Sequence, residues 1–114
     1  MRTRRIFLNR LDPAHEPQDA VVVIDVLRSF TTAAYAFAAG ASTIYPVETI
    51  AGAFRLLRRL PDAATTGAVG GGEPIPGFDF GNSPLALRNA DLAGRPLIQT
   101  TAAGVRGLTR FRRA

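Results

Sequence analysis

The sequence contains no cysteine, and every one of its 14 basic residues is arginine. Without cysteine a disulfide framework, a thiolate zinc site and a cysteine nucleophile are all excluded. Any metal must then be held by oxygen ligands or by His15, the single histidine, which lies between Pro13 and Pro17 and reads as a loop residue. No apolar stretch approaches the length of a membrane span, and the basic start MRTRRIFLNRL has too short an apolar part for a signal-peptide core. A cytoplasmic location without membrane attachment is therefore expected. Also missing are internal repeats, low-complexity tracts, an interdomain linker and the G-x-x-x-x-G-K-[ST] spacing that cradles nucleotide phosphates.

What remains is 114 residues, 46% hydrophobic and 20% charged, an ordinary balance for one globular domain over residues 1–114. The net charge of +5 would suit a nucleic-acid binder if the arginines shared one face with interleaved aromatics. They are scattered instead over the start (Arg2, Arg4, Arg5, Arg10), one helix (Arg55, Arg58, Arg59) and the end (Arg106, Arg110, Arg112, Arg113). A solvated surface is the better account, and nucleic acid is not the expected partner.

The chain reads as β, then βαβα, then β-loop-αβα. Arg4 to Leu11 alternates apolar and polar residues as a half-buried strand. The β-branched run Val21-Val22-Val23-Ile24 lacks alternation and predicts a buried parallel strand ending at Asp25. A helix follows from about Ser29 to Ala39, with Gly40 where a C-terminal glycine belongs. STIYPV predicts the next strand, and Ile50, Phe54, Leu57 and Leu60 mark a helix over Glu48 to Leu60 that stops at Pro61. Thr65 to Val69 gives a short strand, Ser83-Pro84 an N-cap and first helical residue for a helix to about Ala90, LIQTT a strand, and Ala103 the start of the last helix. The fold class this implies is a three-layer α/β/α domain with a mostly parallel sheet.

Ligands of such sheets bind at the carboxyl ends of the strands. Register alone brings three clusters there: Asp25 with Arg28 and Ser29, the turn from Gly70 to Glu73, and Thr100-Thr101 before Gly104. Carboxylates suit a hard cation; arginine, hydroxyls and free helix N–H groups suit phosphate oxygens. Each member also has a structural reading: Asp25 as a helix cap, Gly70–Gly72 as a turn, Glu73 as a loop acid, and the threonines as strand ends or caps.

The segments VVVIDVLRSFTTAAYAFAAGASTIYPVE, GGE, GFDFGNSPLAL and LIQTTAAGVRGL, in this order, resemble the 2-phosphosulfolactate phosphatase family. The resemblance runs from Val21 to Leu108 and covers the first half of a typical member, so it implies an incomplete version of the family domain. It implies a magnesium-dependent acid phosphatase that converts 2-phosphosulfolactate to sulfolactate and phosphate in coenzyme M biosynthesis. It also points to Asp25, Arg28, Glu73, Asp79, Asn82 and Thr101. The roles expected on that basis are Asp25, Arg28 and Glu73 in catalysis, and Asp25, Glu73 and Asp79 as Mg²⁺ ligands. Arg28, Asn82, Thr100, Thr101 and Gly104 are expected to bind substrate, Asn82 by fixing the glycine loop. Two departures stand out: the Glu73 to Gly77 loop is short, and Ala103-Gly104-Val105 replaces the Asn-Gly-Thr of many members, leaving phosphate contacts there to backbone N–H groups. A haloacid-dehalogenase-type phosphatase is the weaker candidate, because its second aspartate would fall at Leu27.

The half-length match keeps a second reading open: a non-catalytic remnant or partner-binding subunit, with a homo-oligomer or a separate chain supplying the missing half. It also predicts an exposed apolar patch or self-association.

Overall fold

A computed structural model describes residues 5, 7, 20–101 and 104–110 of the chain. Within them the order is α1 (Ser29–Ala38), β1 (Thr43–Pro46), α2 (Ile50–Arg59), β2 (Ala64–Gly67), a 3-10 turn (Gly70–Gly72), α3 (Pro84–Arg88), β3 (Pro96–Thr100) and α4 (Gly104–Arg110). Among the described residues no helix is long and apolar enough to cross a membrane.

The three strands form a parallel sheet in the order β1-β3-β2, with Ile44 opposite Leu97 and Thr65 opposite Ile98. Successive residues of a strand face opposite sides. Leu97 accordingly joins Ala36, Ala41, Ala64, Leu87 and Leu92 in a core beneath α1 and α3, whereas Ile98 joins Ala53 and Ala63 beneath α2. Helices thus lie on both faces of β3, which is the expected α/β architecture. Pro96 opens β3 at a position where the missing N–H is tolerated.

Local chemistry sets the helix ends. The Thr49 side chain accepts a hydrogen bond from the Gly52 N–H at 3.0 Å and caps α2, which ends just before Leu60 and Pro61. Its apolar face packs partly on the second core, where Phe54 meets Phe78 edge-to-face at 5.5 Å. Gly40 follows α1 at φ +102, a left-handed conformation that glycine adopts without a Cβ penalty. Ser83 does occupy the N-cap of α3, with Pro84 at the first helical position, although its hydroxyl makes no capping bond.

One expected element is corrected. Val21 to Asp25 belongs to no strand among the described residues, and its burial alternates: Val21, Val23 and Asp25 are half-buried, whereas Val22 and Ile24 are 84% and 77% exposed. The inner side lies on α4, where a Cβ built on Gly107 would collide with the Val23 side chain. A buried parallel strand needs a ladder neighbour and a layer on each face; among the described residues this segment has a helix on one face and no ladder neighbour. The strand expected over Arg4 to Leu11 lies, apart from Arg5 and Phe7, outside the described residues.

Candidate active site

The described groups converge where the chain leaves β3 and enters α1 and α4. Asp25 lies before α1, and its Oδ1 accepts a 3.3 Å hydrogen bond from the Ser29 N–H, one of the first-turn donors that a helix leaves free. That bond is longer than the usual 2.9–3.0 Å, so the carboxylate keeps acceptor capacity. Ser29 is buried, and its Oγ donates to Thr101 Oγ1 at 2.9 Å, joining α1 to the residue after β3. Gln99 Nε2 donates to the Ser29 carbonyl at 2.9 Å and fixes the same turn from within the sheet.

Gly104 closes the cluster. A Cβ there would stand 2.7 Å from Asp25 Oδ2 and 2.9 Å from Ser29 Cβ, so only glycine lets α4 begin this close to the carboxylate. Arg28, the N-cap of α1, is exposed and reaches the glycine turn: a Cβ on Gly72 would lie 3.0 Å from its Nη2. Hydrogen bonds from the Val69 N–H to the Glu73 carbonyl and from the Gly72 N–H to the Val69 carbonyl, each 3.0 Å, fold that turn back on itself. Glu73, next in the chain, is exposed.

Asp25, Thr101 and Gly104 are therefore brought together, and Arg28 is brought to the residue preceding Glu73. Asp79 is engaged elsewhere. Its Oδ2 accepts from the Thr65 N–H at 2.8 Å and the Thr65 hydroxyl at 2.9 Å, while its own N–H donates to Thr65 Oγ1 at 2.9 Å. Among the described residues, no three of the Asp, Glu and His side chains form a group that could hold a metal ion, so the expected Asp25–Glu73–Asp79 set is not assembled. Asn82 follows Gly81, whose carbonyl accepts from Thr66 Oγ1, but its own Oδ1 is buried without a hydrogen-bond partner, as is Thr100 Oγ1. Buried polar atoms left in this state are costly and uncommon.

Gln99 was not among the expected site residues. Its signal was present, since a glutamine inside an apolar central strand, here 2% exposed, must find a partner in the fold.

A family model described as 2-phosphosulpholactate phosphatase matches residues 6–114. The chain belongs to the 2-phosphosulfolactate phosphatase family. It is similar to a "probable 2-phosphosulfolactate phosphatase" of Carboxydothermus hydrogenoformans, 48% identical over 89 residues, covering 78% of this chain and 36% of the relative. It is likewise similar to proteins of the same name from Bacillus subtilis, 44% identical over 78% of the chain and 39% of the relative, and from Symbiobacterium thermophilum, 42% identical over 88% and 44%. The chain thus spans well under half the length of these 2-phosphosulfolactate phosphatase relatives.

Proposed function

We propose that the chain serves a magnesium-dependent phosphatase site that hydrolyses 2-phosphosulfolactate, or a similar small phosphorylated acid, to sulfolactate and phosphate. The observation that carries this reading is the half-buried Asp25 carboxylate, held loosely by Ser29 and bordered by Thr101 and Gly104, in a chain of this family. Asp25 and Glu73 are hard oxygen donors. Mg²⁺ is commonly held by one or two carboxylates, with waters and substrate phosphate oxygens completing its shell, so these two fit without Asp79. When bound, the ion would neutralise charge on the phosphoryl group.

The protein's own groups orient the substrate. Arg28 offers a planar pair of N–H donors to a phosphate or sulfonate. Thr101, whose oxygen accepts from Ser29, retains its own proton to donate to an anionic oxygen. Gly104 lets the start of α4 stand close against Asp25 and Ser29. Overall, water adds to phosphorus and the ester P–O bond breaks, releasing sulfolactate.

The test is release of inorganic phosphate from 2-phosphosulfolactate with and without Mg²⁺. Expected are release that chelation stops and a preference for short phosphorylated acids over nucleotides or phosphoproteins. Equal turnover of bulky and small esters would count against it. A second reading, a non-catalytic part of the fold that binds a partner, is favoured by the 36–44% coverage of the relatives. It predicts no phosphate release by the chain alone.

A further inference from the structure

All three polar groups of Ser29 are engaged. Its N–H donates to Asp25 Oδ1 at 3.3 Å, its hydroxyl donates to Thr101 Oγ1 at 2.9 Å, and its carbonyl accepts from Gln99 Nε2 at 2.9 Å. Asp25 and Thr101 belong to the candidate site, whereas the buried Gln99 reaches it through Ser29. Gln99 springs from the central strand, where Pro46 of β1 and Thr66 of β2 are its register partners and its carbonyl accepts from the Val47 N–H at 2.8 Å. Its backbone is thus held from both sides. The start of α1 has less support of its own, since Arg28 at the N-cap makes no side-chain capping bond and the bond to Asp25 is long.

The identity of the residue narrows its role. Leu97 and Ile98 precede it and are fully buried, so β3 accepts aliphatic side chains here. A buried amide adds only modestly to stability when bonded and is costly when not. Only the NH₂ end of an amide can meet a carbonyl, so the bond also dictates which way the side chain faces. We propose that Gln99 is a positioning residue of the Asp25 site: by gripping the Ser29 carbonyl it fixes the turn from which Ser29 aims its N–H at Asp25 and its hydroxyl at Thr101. The proposal rests on the reading of Asp25 as a carboxylate of the magnesium site, and Gln99 acts on it through Ser29 alone.

The test compares Gln99→Met with Ile98→Val in the 114-residue chain. Methionine keeps the length of the side chain without its donor, and the Ser29 carbonyl retains its place in the helical ladder, so the variant should fold; if it does not, Gln99→Leu carries the same comparison. Ile98→Val is the control, because it trims the other face of the same strand, beneath α2. Each protein is melted and titrated with Mg²⁺ alone while its amide NMR shifts are followed, so the outcome does not depend on turnover. Loss of a group that orients a metal ligand weakens metal affinity about 10–100-fold. Gln99→Met should therefore need about tenfold or more Mg²⁺ for half-saturation, with its largest amide shift at Ser29. Ile98→Val should lower the melting temperature and leave that concentration unchanged. Parental magnesium affinity in the Gln99 variant, or an equal loss in Ile98→Val, overturns the proposal alone. A parent chain that takes up no Mg²⁺ overturns the reading of the site, and this proposal with it.

Discussion

Ser29 Oγ lies 2.9 Å from Thr101 Oγ1, although 72 positions separate the two residues in the chain. Both residues are buried, at 3% and 5% exposure, so this contact ties the first turn of α1 to the end of β3 in a place where water cannot substitute. Thr101→Val would leave the Ser29 hydroxyl without its acceptor. A loss of about 1–3 kcal/mol in urea unfolding is expected, with Thr101→Ser restoring most of it.

Gly104→Ala should be more harmful than its size suggests. The added carbon would meet Asp25 Oδ2 at 2.7 Å and Ser29 Cβ at 2.9 Å, so α4 or the carboxylate must move. Overpacking of this kind costs about 1–3 kcal/mol. Thermal unfolding should register that cost, and phosphate release should fall with it.

Asp25→Asn separates support of the helix from chemistry. Asparagine keeps an oxygen to accept from the Ser29 N–H, so near-normal thermal stability is expected. Removal of the charge should reduce magnesium-dependent phosphate release by orders of magnitude. If release continued at the parental rate, Asp25 would only support the start of α1.

Asp79→Ala makes the opposite split. Its carboxylate binds Thr65 twice from an exposed position, so the substitution should cost about 1 kcal/mol. The dependence of phosphate release on Mg²⁺ concentration should stay unchanged. A marked shift in that dependence would return Asp79 to the ligand set.

The helices were legible in the sequence because their signals are local: apolar spacing in α2, Pro61 after it, Gly40 after α1, and Ser83-Pro84 at the start of α3. That Thr101 and Gly104 follow the end of β3 was legible from parallel topology, whereas Asp25 reaches them from a segment that forms no strand among the described residues, held by its bond from Ser29. Val21 to Asp25 misled because a β-branched run reports a preference for extended backbone, whereas a ladder depends on a neighbour supplied from elsewhere. The surroundings of Asp79 were hidden for a related reason. An acid in a glycine-rich loop suggests a ligand, and only the fold reveals that Thr65 stands within reach of it.

The strand order carries a consequence for how the chain is made. β1 and β2 each pair with β3, and β3 is the last of the three to be synthesised. On a ribosome the first two strands would wait, with their inner edges open, until residues 96–100 emerge to bridge them. Nascent chains arrested before Pro96 should therefore be protease-sensitive across β1 and β2 together. Those arrested after Thr100 has cleared the exit should gain resistance in both strands at once.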